Sequence, residues 1–335
     1  MIRLNSEDYS LLQRLTQVYG PSGVEDEVRK LIIEEIRPYC DTFRQDKLGN
    51  LIVVRQGTGK KIMIAAHMDE IGIMITHIDE NGFLRFTPVG GVHISELPHR
   101  RVQFKNGHTG VISVEKLEKP SDLKLTKLYV DIGANNREEA EQIIRIGDIA
   151  VFIGTFVQTG SRILSKALDD RIGCFIALET LKRVQSNHEL SFVFTVQEEV
   201  GLRGAQTAAF TLDPDLAIAV DVTLTGDTPN AHTMDVKIGK GVAIKVFDRS
   251  MITPPQVKQW MASTSENNQI PYQWEVLEFG GTDSGTIHLT KGGIPSGVLS
   301  IPTRYVHSPS EMIDTRDVES AISLLVALLE SPAEL

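Results

Sequence analysis

Glu198 and Glu199 close an apolar run, Leu190-Ser-Phe-Val-Phe-Thr-Val-Gln197, and are followed by Val200-Gly-Leu-Arg-Gly204. The run is rich in β-branched and aromatic residues and has the length of a buried strand. Carboxylates are costly beside a core unless a metal or a proton compensates them. Side chains at adjacent positions of an extended chain point in different directions, so one glutamate is free to bind a metal while the other faces a substrate. That division of labour suits a metallohydrolase.

Four further segments carry ligand-type residues at a strand end or in the loop after it. In Ile62-Met-Ile-Ala-Ala-His67-Met-Asp69, two-residue spacing puts His67 and Asp69 on one face, where Asp69 is placed to orient a metal-bound histidine. Lys166-Ala-Leu-Asp169-Asp170-Arg171 precedes a helical pattern; capping of that helix by Asp170 leaves Asp169 free to enter a crevice. Asp221 interrupts the apolar Leu216-Ala-Ile-Ala-Val, and His307 follows an apolar strand in the segment Ile301 to Glu311. Each segment alone has an ordinary reading: a hydrogen-bonded histidine, a helix cap, a turn aspartate, a solvated acidic loop.

Together they supply two histidines and three or four carboxylates without a cysteine. This donor set suits zinc, cobalt or manganese and does not suit a structural zinc site, which favours thiolates. It is enough for two ions about 3.5–4 Å apart with one bridging carboxylate. Such a pair polarises a carbonyl and acidifies a bound water, and a free carboxylate then carries that water's proton to a leaving amine.

The elements that must position these residues read as an α/β chain. Helices are expected in 8–38, split at Gly20-Pro-Ser-Gly23, with strands at 50–55 and 61–66. Between about 71 and 160 the pattern changes to short alternating runs (102–104, 110–114, 127–132, 148–152) with one helical insert at 136–144, a small β-rich module. After Ser165, helices at 170–184, 204–210, 255–266 and 317–329 alternate with strands at 190–197, 216–222, 241–247, 272–279 and 297–301. This alternation predicts a mixed or parallel sheet covered by helices, with its ligand crevice at the carboxyl ends of the strands. The expected organisation is one α/β domain from residues 1–70 and 161–335, interrupted by the 71–160 module.

At this point the residues resemble a known family. Ala66-His-Met-Asp-Glu-Ile-Gly72, Lys166-Ala-Leu-Asp-Asp-Arg-Ile-Gly173, Val196-Gln-Glu-Glu-Val-Gly-Leu-Arg-Gly204, Val220-Asp221 and Gly280-Gly-Thr-Asp-Ser-Gly285 are similar, in order and spacing, to the motifs of the glutamyl and tetrahedral aminopeptidases, co-catalytic di-metal enzymes some of which carry the name endoglucanase. The resemblance covers nearly the whole chain. It implies a mixed sheet sandwiched by helices with an inserted, barrel-like dimerisation domain, and dimers that assemble into a tetrahedral dodecamer. It implies that His67, Asp169 and Asp221 hold one metal and Asp169, Glu199 and His307 the other. Glu198 becomes the general base and acid, Asp69 orients His67, and Asp170 supports the turn beside the bridging Asp169. Gly280, Gly281, Thr282 and Asp283 become part of the substrate cleft. Ser284 stands where many relatives have alanine.

The activity expected is removal of N-terminal residues from short peptides. A deacetylase or carboxypeptidase would use the same metals and base, a glycosidase would use paired carboxylates with no metal, and a non-catalytic assembly protein would keep the scaffold without turnover. A net charge of −10 without a basic block argues against nucleic acid as the main partner. Two cysteines, Cys40 and Cys174, do not make a disulfide framework, no signal-like segment opens the chain, and no apolar run approaches the ~20 residues of a membrane span. A cytoplasmic protein is expected, with Cys174 a core thiol. His77, His93, His99, His108, His188, His232 and His288 lack ligand partners at recognisable spacing. Arg203, Lys291 and Arg304 are each positioned in sequence to furnish a basic group near the cleft.

Overall fold

The computed structural model describes residues 2–331. Its centre is an eight-stranded mixed sheet. The spatial order is Thr42–Gln45, Leu51–Arg55, Glu189–Thr195, Lys61–His67, Leu216–Thr223, Ser296–Pro302, Val242–Phe247 and Tyr272–Val276. Lys61–His67 runs parallel to both of its neighbours, and Leu216–Thr223 runs parallel to Ser296–Pro302. Strands in the middle of such a sheet are buried on both faces, and the two-residue period sorts their side chains. Ile62, Ile64 and Ala66 join the large core beneath Ser6–Gln17, Asp26–Ile36, Leu168–Arg183 and Thr315–Glu330. Met63 and Ala65 face the opposite way, onto Ala205, Ala208 and Ala209 of the helix Arg203–Leu212.

Six strands between Gly72 and Phe152 close into a barrel in the order Gly72–Ile78, Leu84–Val89, Leu128–Asp131, Thr109–Val114, Arg101–Phe104, Ile149–Phe152. The barrel has its own apolar core, including Ile73, Ile75, Phe86, Val102, Ile112 and Val130. Its one α-helix, Arg137–Ile143, is capped by Asn136, whose side chain accepts the N–H of Glu139.

A third, small sheet joins Val157–Thr159, Arg162–Ser165 and Glu311–Asp314. It bolts the chain leaving the barrel to the segment that carries His307. The expected strand over 272–279 ends at Val276, ahead of a turn in which Gly280 has a left-handed φ of 73°. Among the described residues, no helix is long and apolar enough to cross a membrane.

Candidate functional site

Four neighbouring strand ends meet at one rim of the large sheet. Lys61–His67 delivers His67, and Leu216–Thr223 carries Asp221. Glu198 and Glu199 lie just past Thr195, and His307 just past Pro302. Asp169 arrives from the other direction, two residues before the regular turns of Leu168–Arg183 begin. Asp170 caps those turns, its Oδ1 accepting the N–H of Gly173 at 3.0 Å.

The side chains form two groups that share Asp169: His67, Asp169 and Asp221, and Asp169, Glu199 and His307, with the ligand atoms of each group within 4.8 Å of one another. Asp169 turns one oxygen to each. Its Oδ1 lies 3.1 Å from His67 Nε2, and its Oδ2 lies 3.2 Å from His307 Nε2. Glu199 Oε1 is 3.2 Å from the same His307 nitrogen, and Asp221 Oδ1 is 3.9 Å from His67 Nε2. Both histidines therefore aim Nε2 inward while Nδ1 is engaged by a main-chain carbonyl. His67 Nδ1 is 3.0 Å from the carbonyl of Asp69, and His307 Nδ1 is 2.8 Å from the carbonyl of Gly91.

Asp69 stands beside His67 and does more than face its ring. Its carboxylate stands 3.5 Å from His67 Nδ1, beside its own nearer carbonyl, and has further partners. It accepts the hydroxyl of Ser22 and the backbone N–H groups of Glu198 and Glu199. Asp170 similarly accepts the N–H of His67. Gly91 makes the barrel loop's approach feasible, because a Cβ there would lie 2.5 Å from His307 Nδ1.

Burial pushes the carboxyls of Glu198 and Asp221 well above the usual carboxylate range, and their acidic neighbours add to it. Burial opposes charge on His307, but Glu199 and Asp169 outweigh it and push the ring up to about 12. A cleft that retains protons in this way is short of positive charge. Buried nitrogen and oxygen donors in two converging groups, with one carboxylate presenting an oxygen to each, fit a pair of divalent ions.

A cavity of about 1120 Å³ opens over these groups. Leu202, Val222, Leu224, Leu277, Phe279 and Val306 give it an apolar wall. Gly280 and Gly281 line it, but Thr282 and Asp283 are 2% and 3% exposed and lie behind the wall, where Thr195 donates to Asp283 at 2.5 Å. That corrects the expectation that all four face substrate: Thr282 and Asp283 anchor the loop that Gly280 and Gly281 present.

Arg203, Lys291 and Arg304 do not line the cavity. They engage Gln197, Asp213 and Asp227 respectively. The cation that does reach the wall, Lys245, was not visible in the sequence pattern, and it is bound to Glu275 at 2.5 Å. His93, from the barrel, also lines the cavity. Cys174 is buried, with its thiol donating to the carbonyl of His67.

The model of the M42 glutamyl aminopeptidases matches residues 49–324. The chain belongs to that family. A putative aminopeptidase of Acetivibrio thermocellus is 54% identical over 96% of this chain and 99% of its own length. The solved structure of aminopeptidase APDkam598 of the archaeon Desulfurococcus kamchatkensis superposes with a TM-score of 0.93 at 40% identity, covering 97% of this chain and 95% of that one. The TET1 peptidase of Pyrococcus horikoshii, which assembles into a tetrahedron or a large octahedral shell, superposes with a TM-score of 0.89 at 35% identity over 98% of this chain and all of that one. The protein is thus a metal-dependent aminopeptidase, of a family of di-metal enzymes, built on a mixed sheet with a closed barrel.

Proposed function

We propose that this cleft removes N-terminal residues from short peptides, with Glu198 as the group that moves the proton. His67, Asp169 and Asp221 would hold one divalent ion and Asp169, Glu199 and His307 the other; zinc or cobalt suits these donors best, with manganese a further match. When bound, such ions polarise the scissile carbonyl and acidify water. Glu198 belongs to neither ligand group, yet its Oε2 reaches to 3.9 Å from His67 Nε2 and it lines the cavity. That placement carries the assignment. Glu198 takes a proton from the attacking water and returns it to the departing amine.

Residues 71–160 serve in this reading as the dimerisation module, and dimers assemble into a closed tetrahedral dodecamer, as the shell-forming relative supports. The free thiols of Cys40 and Cys174 favour a cytoplasmic setting.

Glu198→Gln keeps the shape of the site and removes the base. It is expected to bind the wild-type complement of metal and to lose about 10²–10⁴-fold in kcat on aminoacyl-nitroanilides. Turnover near wild type in the metal-loaded variant would remove Glu198 from the mechanism.

A further inference from the structure

We propose that Glu311 is a positioning residue that sets the spacing between Asp169 and His307, and thereby the affinity of the second ion site. The inference rests on the two-ion reading above. Glu311 opens the strand Glu311–Asp314, in register with Ser165 on Arg162–Ser165, so it stands between the chain that leads to Asp169 and the loop that carries His307. It is 2% exposed. Its Oε2 accepts the N–H of Asp169 at 3.0 Å, and its Oε1 accepts the N–H of His307 at 2.9 Å. One carboxylate thus ties together the main chains of two ligands from separate segments. The carboxyl group turns one acceptor oxygen to each amide; a glutamine in its place would turn an NH₂ towards one of the two.

The two ion sites depend on this tie unequally. His67 and Asp221 lie on strands in the middle of the large sheet, and the amide of His67 has its own acceptor in Asp170. His307 has no such support. It lies in a loop with a left-handed φ of 63°, a conformation that costs a non-glycine residue about 1–3 kcal/mol and persists only where surroundings enforce it. The enforcing contacts are Glu311 on its amide and Gly91 on its ring. Loss of the Glu311 tie therefore frees His307 first.

The test is calorimetric titration of metal-stripped wild type, Glu311→Gln and Glu311→Asp with zinc, together with the visible spectra of the cobalt-loaded proteins. Wild type is expected to take two ions per chain. Glu311→Gln should take one with wild-type affinity and hold the other about 10- to 100-fold more weakly, the usual effect of losing a residue that orients a ligand, with the cobalt spectrum at one equivalent unchanged and at two equivalents altered. Glu311→Asp, too short to reach both amides, should shift the same way, and carries the comparison if the glutamine variant does not fold. Two ions at wild-type affinity, or equal weakening of both, would overturn the assignment. Fewer than two ions in wild type would instead overturn the two-ion reading, and the inference with it.

Discussion

The carboxylate of Asp69 accepts the backbone N–H of Glu198 at 3.0 Å and that of Glu199 at 3.2 Å. The pair of glutamates is thus held by its main chain, which leaves both side chains free to act. Asp69 is fully buried, and Ser22 supplies a third donor at 2.6 Å. In Asp69→Asn an amide NH₂ replaces one acceptor oxygen and faces donors. The variant is expected to bind both ions and to lose about 10- to 100-fold in kcat, because Glu198 is no longer fixed. A rise in KM at unchanged kcat would show that Asp69 acts on substrate binding instead.

Metal removal should be visible in stability as well as activity. Asp169, Glu199, Asp221 and Glu198 crowd a cleft where the two histidines are the nearest cationic groups and the charge of Lys245 is taken up by Glu275 and Asp248. Ions that bind the folded chain stabilise it by about 2.7 kcal/mol each at one hundred times Kd. Chelation should lower the thermal midpoint by several degrees, and zinc or cobalt should restore it in the wild type. In Asp169→Ala, which removes the shared ligand, added metal should leave the midpoint unmoved. A metal-induced rise of wild-type size in that variant would place the stabilising ions elsewhere.

The strand ends were legible because an acid or histidine closing a long apolar run is a local signal, and the five motifs fall in one order. His67, Asp221 and the Glu198–Glu199 pair stand out this way, the resemblance singles out Asp169, Glu199 and His307 as further ligands, and the structure brings the five ligand residues together. The bracing of the site left no such trace. Glu311 lies four residues past His307, within a segment already singled out, but a carboxylate that accepts two backbone amides has no periodicity and no characteristic spacing. Asp69 was legible as a partner of His67 and not as the brace of Glu198, since that contact joins segments 129 residues apart. The strand Thr42–Gln45 escaped for another reason: all four of its residues are exposed, so no alternation marks it. Thr282 and Asp283 read as cleft residues because a motif says which residues recur together and not which way each one faces.

The apolar wall predicts the side-chain preference. Leu202, Leu224, Leu277 and Phe279 face the cavity, and the charge of Lys245 is engaged by Glu275 and by Asp248 at 3.4 Å. A substrate with an acidic first residue would have to compete for that ammonium. Leucyl-nitroanilide is therefore expected to be cleaved with a kcat/KM at least tenfold above those of the glutamyl and lysyl compounds. Phe279→Ala should lower that figure for the leucyl substrate by about 10-fold, the scale of 1–3 kcal/mol for lost apolar contact in a pocket. Preference for the glutamyl compound in wild type would mean that Lys245 exchanges its partners for the substrate.

Asp314 predicts how stability responds to acid, away from the cleft. It is fully buried at the start of Thr315–Glu330, caps that helix by accepting the N–H of Arg316, and also accepts from Ser161, Arg162 and the Arg316 guanidinium. Burial works against its charge, but the bonds from Arg316 and the nearby Arg162 prevail and hold its carboxyl below the usual range. A depressed folded-state pKa contributes stability that is present above the unfolded value of about 3.9 and is lost as pH falls through the folded value. Asp314→Ala should cost about 1–2 kcal/mol at neutral pH, the scale of a lost cap together with ion pairs to partly exposed arginines. The cost should stay level from about pH 5 to 8 and shrink below about pH 4, where wild type also loses the charge. Urea denaturation of both proteins in chelator, so that metal binding adds no pH dependence of its own, measures it. A cost unchanged at pH 3 would assign the loss to packing and the cap geometry, with no part for the carboxylate's charge.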